Sequence, residues 1–382
     1  MLLWEGSLMA FIYIKPALKQ NMERLSDILN IPEPLLISAN ANAPADEFYF
    51  PGASFQAGKN VPAAETYEQL QLLVNQYTLE DEQWLTKTVV YDSAELKKEI
   101  DRLTECFPFV TSRIIGRSSM GQPIYELLLG AENAGKRTHI NASFHANEWI
   151  TTSVLMKWLK EYCYHLCTGR SALGFSPLDI FSSTKLSVVP IVNPDGVDLV
   201  LNGPGHLGIA REALDEMNEH QRDFREWKAN INGVDLNNQF PSFWEIEKQR
   251  KPPKSPSYRD YPGDEPLTEP EAAAMRDLIA NEPPDRLVAL HTQGEEIYWG
   301  YKGLEPPESA DMIKTFEQLS GYKGVRYIDS YAGFRDWFIH YYGREGYTVE
   351  LGKGKNPLPL KQFDDIYCKS RGILWASCFF ES

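Results

Sequence analysis

Apolar residues follow two rhythms along this chain, and the change between them divides it. Residues 1–60 form a small unit by this pattern: an apolar run Phe11-Ile12-Tyr13-Ile14, a helix through Met22 to Leu29, and a second helix from Glu33 to Ala39. The turn Ala39-Asn40-Ala41-Asn42 follows, then Pro51-Gly52 ahead of a final strand. Residues 61–86 read as a linker holding a short helix from Ala63 to Gln76. Beyond residue 86 strands and helices alternate closely. Ser93 opens a helix that Phe107-Pro108 stops at Cys106, and strands Ser112 to Gly116 and Ile124 to Leu129 flank the turn Met120-Gly121-Gln122-Pro123.

Four further apolar runs read as strands: Thr138 to Ser143, Lys185 to Val192, Arg286 to Leu290 and Gly346 to Leu351. The unbroken apolar stretch in Lys185 to Val192 implies burial on both faces of a sheet. Trp149 to Leu166 is apolar at helical spacing and predicts a helix covering that sheet. Thr268 is expected to cap another helix, with Glu271 reaching back to the cap amide. Interleaved strands and helices mean an α/β sheet covered by helices on both faces, here over residues 87–382, with a small α+β unit in front.

Composition narrows the function classes. A chain of 382 residues with 43% hydrophobic content buries a large core. With 53 acidic against 38 basic residues the net charge is -15, which argues against a nucleic-acid partner. The sequence has no run of 18 apolar residues, so no membrane span is expected, and Met1-Leu2-Leu3-Trp4-Glu5 lacks the basic start of a secretory signal, so a cytoplasmic location is expected. Five cysteines without a C-x-x-C pair read as reduced thiols, with Cys163 and Cys167 one helical turn apart on a core face.

The chemistry starts at Phe144-His145-Ala146-Asn147-Glu148-Trp149, where a strand gives way to a helix. An imidazole and a carboxylate three positions apart close on one zinc ion if the turn aims both the same way. Otherwise Glu148 is a helix-start carboxylate and His145 a hydrogen-bonded strand end. His145, Asn193 and His291 all fall at the carboxyl ends of strands, where open α/β sheets carry their sites. His145, Glu148 and His291 then supply three N/O donors with a fourth position open, the pattern of a catalytic zinc. Glu350, an acid inside an apolar strand, is the candidate general base; the alternative is a structural pair with a Lys or Arg.

In order and spacing, His145-x-x-Glu148, Asn193-Pro194-Asp195-Gly196, Gly233-Val234-Asp235-Leu236-Asn237, His291 and Glu350 resemble the zinc carboxypeptidase (M14) family, from about Tyr91 to Phe380. The resemblance implies a mixed sheet of about eight strands, one Zn2+ on His145, Glu148 and His291, and Glu350 as base and acid. It implies that Lys228, after Trp227, stabilises an oxyanion; a solvated surface lysine is the alternative. Carboxypeptidases of this family follow the Asn of Asp-Leu-Asn with an Arg that grips the terminal carboxylate. Here Asn237 is followed by Asn238, and an amide makes no bidentate charged clamp. Ser330-Tyr331-Ala332-Gly333-Phe334-Arg335-Asp336-Trp337 aligns with the segment lining the side-chain pocket, so Arg335 is expected to set specificity for an acidic group, or else to pair on the surface with Asp336 or Asp329. Tyr331, with Tyr327 as second choice, is the expected mobile phenol at the scissile bond.

The order of elements in residues 1–60 resembles a LysM module, a glycan-binding fold, although the usual Gly-Asp-Thr-Leu entry is replaced by Asn21-Met22-Glu23-Arg24-Leu25. A LysM-like unit joined to this peptidase resembles the bacterial γ-D-glutamyl-L-diamino acid endopeptidases. The implied substrate is a peptidoglycan stem peptide or muropeptide, cut between D-glutamate and diaminopimelate or lysine, with glycan chains as a second partner and cell-wall recycling or sporulation as the setting. Two rivals stay open: a conventional carboxypeptidase with another cation for the terminal carboxylate, and a catalytically silent peptidoglycan-binding protein.

Overall fold

The computed structural model describes residues 11–29, 31–49, 63–64, 66–67, 84 and 87–380. Pro51-Gly52 and most of the helix expected up to Gln76 lie outside them. Strand β1 (Phe11–Ile14) is followed by helices α1 (Met22–Leu29) and α2 (Glu33–Asn40), then β2 (Glu47–Tyr49) and β3 (Ala63–Ala64). These strands form a sheet in the order β2-β1-β3, with β1 antiparallel to β2 and parallel to β3. Ala63–Ala64, expected to open a helix, is therefore a strand: backbone pairing with β1 overrides alanine's helical preference. Buried Asn40 fixes the turn, because its side chain accepts from Tyr49 N and donates to Tyr49 O and so mimics a strand edge.

The large domain opens with α3 (Ser93–Cys106), capped by Asp92, whose carboxylate accepts from Glu95 N. Strands β4 (Thr111–Arg117), β5 (Pro123–Leu129) and β6 (Lys136–Asn141) follow, then helix α4 (Ile150–Thr168), β7 (Thr184–Val189) and α5 (Pro194–Asn202). Helix α6 (Pro270–Asn281) precedes β8 (Arg286–His291) and β9 (Glu296–Tyr298). After α7 (Ser309–Ser320) come β10 (Lys323–Val325), α8 (Phe334–Tyr342), β11 (Glu345–Glu350) and α9 (Phe363–Cys378). The sheet has eight strands in the order β10-β9-β11-β8-β6-β7-β5-β4. Its centre, β11-β8-β6-β7, is parallel, and antiparallel pairings flank it, so it is the mixed sheet expected.

Alternate side chains of the central strands enter two cores. Ile140, Val188, Val288 and Val349 pack with α4 and α9, while Val189, Leu287 and Ala289 pack with α6 and α8. Burial on both faces explains the continuous apolar runs. Cys163 and Cys167 are free and buried in the α4 core. Trp84, inside the expected linker, is buried; its indole donates to Glu99, which also pairs with buried Lys160 at 2.8 Å.

Helix α6 starts one residue later than expected, with Glu269 at the cap position and Pro270, whose fixed φ suits a first helical position, opening it. Glu271 does not reach the cap amide; it accepts from Ser119 N at 2.8 Å, an otherwise orphaned loop donor. Among the described residues no helix is long and apolar enough to cross a membrane.

Candidate metal centre and active site

The parallel register brings the site together. His291 ends β8 and lies directly alongside Glu350, which ends β11. His145 lies four residues beyond β6, after Ser143 has turned the chain with a left-handed φ of 49°. Thr151 and Thr152 stabilise that turn, the hydroxyl of the first accepting from Ser143 N at 3.0 Å and that of the second meeting Ser143 Oγ at 2.7 Å. A one-turn 3-10 helix, Ala146–Glu148, then swings Glu148 back toward His145.

Three donors converge. His145 Nδ1 is 2.9 Å from Glu148 Oε1, His291 Nδ1 is 3.0 Å from Glu148 Oε2, and the two Nδ1 atoms are 3.1 Å apart. All three residues are buried, and their donor atoms lie within 4.8 Å of one another. Two imidazole nitrogens aimed at each other and at one carboxylate fit a shared cation far better than a network of protons. His145 also turns Nε2 to Asp235 Oδ1 at 3.2 Å, the outer carboxylate that fixes the tautomer of a metal-binding imidazole. Asp235 caps its own short turn by accepting from Asn237 N, so it is rigidly placed.

The electrostatics of the side chains follow the same geometry. Burial disfavours a charged His145, yet the Glu148 and Asp235 carboxylates carry its pKa up to about 9. Burial works against ionised Glu148, but the two imidazoles bring it down to about 2. Glu350 is pushed up to about 8, first by burial and then by the charge of Glu148. Lys228 resists the penalty of burial because Asp235 and Asp260 hold it charged. Its Nζ donates to Asp235 at 2.7 Å and Asp260 at 3.0 Å, leaving one N–H of the three.

A cleft of about 420 Å³ opens over these groups, lined by His145, Glu148, Lys228, Arg259, Tyr298 and Glu350 among others. His145, Glu148 and His291 would hold a zinc ion, which would supply Lewis acidity to acidify water and polarise a carbonyl. Glu350 stands in the same cleft, placed to take and return a proton.

Residues 96–369 match the family described as zinc carboxypeptidase, peptidase M14. The chain belongs to that family. It is 59% identical over 377 residues to the uncharacterized protein YqgT of Bacillus subtilis (strain 168), covering 98% of this chain and all of that one. It is 47% identical over 289 residues to γ-D-glutamyl-L-diamino acid endopeptidase 1 of Lysinibacillus sphaericus, covering 76% of this chain and 72% of the relative. The solved structure of thrombin activatable fibrinolysis inhibitor has the same fold, with a TM-score of 0.60 at 17% identity over 98% of each chain.

The other residues singled out in the sequence lie around this zinc carboxypeptidase centre in different ways. Asn237 lies between Asp235 and α8: its N–H donates to Asp235, and its Oδ1 caps the helix at Phe334 N, 3.0 Å away. Asn238 is buried beside it and does not line the cleft. Arg335 pairs with Asp336, as one alternative held, but the pair is buried and not on the surface; Asp329 pairs with Arg250 instead. Arg335 Nη1 is buried without a partner among the described residues. Tyr331 does not line the cleft; it sits beneath Lys302 in a separate hollow that it shares with Tyr327. The cleft's phenol is Tyr298, whose hydroxyl donates to Glu296 at 3.0 Å. Asp235 lay within a motif already noted, and its place two residues before Asn237 was the available signal. Tyr298, Arg259 and Asn356 carried none, since the short strand β9 and two loops bring them in from distant parts of the chain.

Proposed function

We propose that this zinc carboxypeptidase hydrolyses the amide between the γ-carbonyl of D-glutamate and a diamino acid, diaminopimelate or lysine, in peptidoglycan stem peptides. The observation that carries the reading is Asn238 directly after Asn237, at the sequence position where a guanidinium would grip an ordinary terminal carboxylate, next to a cleft whose hydrolytic groups are present. The name and 47% identity of the Lysinibacillus sphaericus relative support the same substrate class.

Zn2+ is assigned to His145, Glu148 and His291. Glu350 takes a proton from the attacking water as its oxygen bonds to the γ-carbonyl carbon. Lys228 faces the carbonyl oxygen with its remaining N–H while negative charge develops there. The C–N bond then breaks, and Glu350 returns the proton to the leaving amine, giving a free γ-carboxylate and a free diamino acid amine. Asn237 offers its amide N–H2 to the substrate, Asn238 supports it, and Arg335 meets the far carboxylate of diaminopimelate through its unpartnered Nη1. Tyr298 takes the phenol role first assigned to Tyr331. The antiparallel pairing of β1 with β2 across the helical segment between them supports the reading of the front unit as a LysM-like module that presents the peptidase to glycan chains.

Incubation of the zinc-loaded protein with L-Ala-γ-D-Glu-diaminopimelate, followed by mass analysis, tests the reaction. L-Ala-D-Glu and free diaminopimelate are the expected products. Faster release of ordinary C-terminal L-residues from peptides would replace this reading with that of a conventional carboxypeptidase.

A further inference from the structure

The cleft holds a second cation, Arg259, that the hydrolytic steps above leave without a task. The loop that carries it is fastened to the catalytic segment. Tyr258 O accepts from Lys228 N at 2.8 Å and from Ala229 N at 2.9 Å, and Asp235 N donates to Tyr261 O at 2.7 Å. Between those ties Asp260 adopts a left-handed φ of 64°, a conformation costly for a residue with a Cβ. That conformation lets one carboxylate serve two cations: Oδ1 takes Lys228 Nζ at 3.0 Å, and Oδ2 takes Arg259 Nε at 2.8 Å. The result is a ladder of alternating charge from the metal donor His145 through Asp235, Lys228 and Asp260 to Arg259.

Only one edge of the guanidinium is used. The terminal nitrogens of Arg259 have no partner among the described residues, and its side chain is 46% exposed where it borders the cleft. A fork half engaged by Asp260 keeps the geometry to take a carboxylate through two parallel N–H bonds. The two sources of cleft residues also assign a side. Glu350 and Tyr298 come from the adjacent antiparallel strands β11 and β9, Tyr298 opposite Thr348 and so two residues along from Glu350, and Glu350 protonates the leaving amine, so the diamino acid lies toward those strands. The acyl half is left facing Lys228 and Arg259.

We infer that Arg259 binds the α-carboxylate of the D-glutamyl residue and thereby selects γ-linked over α-linked substrates. This rests on the γ-D-glutamyl reading above. In a γ-linked residue the α-carboxylate is free and stands four carbon–carbon bonds from the scissile carbonyl. In an ordinary α-linked peptide no such carboxylate exists at that place. Lys228 holds the reacting oxygen while Arg259 holds the far end of the same residue, and Asp260 sets the spacing between them.

The experiment compares two substrates on the zinc-loaded full chain: the γ-D-glutamyl peptide and its γ-D-isoglutaminyl counterpart, in which the α-carboxylate is a neutral amide. The wild type is expected to favour the acid by on the order of 10- to 100-fold in kcat/KM. Arg259→Gln is expected to lose that preference through a fall on the acid substrate, with zinc content unchanged, and Arg259→Lys to restore part of it by charge without the fork. Equal handling of the two substrates by the wild type, loss of zinc in Arg259→Gln, or a proportional fall on both substrates would overturn the assignment alone. Cleavage of neither substrate by the wild type would overturn the γ-D-glutamyl reading and this assignment with it.

Discussion

Two buried charge clusters in the large domain are balanced in different ways. At the ends of β6 and β8, His145, Glu148 and His291 point their donors at one another. That cluster is organised around a cation. At the start of α8, Arg335 and Asp336 neutralise each other, yet Nη1 of the arginine faces no acceptor among the described residues. That cluster is complete in charge and short of one hydrogen-bond partner. The contrast separates the reaction centre, whose donors converge on one point, from the α8 cluster, where the fold itself supplies the counter-ion.

Substitutions at the two clusters should therefore behave differently. Arg335→Leu leaves Asp336 buried without its cation and is expected to cost about 3–5 kcal/mol of stability, with or without zinc, read as a lower denaturant midpoint. Glu148→Gln at the other cluster should abolish the stabilisation that zinc confers, a zinc-dependent loss that Arg335→Leu does not show. Equal losses at the two positions would dissolve the distinction. A smaller effect is expected at Asp235, which orients His145 and does not reach the centre itself. Asp235→Asn should weaken zinc binding by roughly 10- to 100-fold, measured by competition with a chelator.

Glu350 gives the subtlest effect, through pH. Its pKa in the folded side-chain cluster is raised from the ordinary 4.5 to about 8. A raised value means that the folded state binds the proton more tightly. The stability this contributes is fully present below 4.5 and is lost as pH rises through about 8. Thermal melts of chelator-treated protein should show wild type and Glu350→Gln converging near pH 4, with the variant gaining relative to wild type up to about pH 9. Parallel curves would place Glu350 in a different environment.

The reaction centre was far more legible in the sequence than its surroundings. His145, Glu148, His291 and Glu350 sit at or just beyond the ends of strands whose apolar runs announce burial, so short motifs fixed their positions. Arg335 could be assigned to the right element, but whether it met Asp336 in the interior or at the surface depends on the packing of α8 against the sheet. Arg259 and Asp260 lie in Tyr258-Arg259-Asp260-Tyr261-Pro262-Gly263, which reads only as a turn. Their place in the cleft comes from backbone bonds to Lys228 and Asp235, distant contacts that leave no local pattern. Ala63–Ala64 misled for the opposite reason: a local helical preference yielded to pairing with β1.

The central claim is that His145, Glu148 and His291 gather one zinc ion beside a Glu350 that moves the proton. Measuring zinc content and turnover together in Glu350→Gln tests it most directly. The expected result is zinc bound as in the wild type, with kcat/KM on the γ-D-glutamyl peptide reduced by on the order of 10²- to 10⁴-fold. Wild-type turnover in that variant would contradict the account.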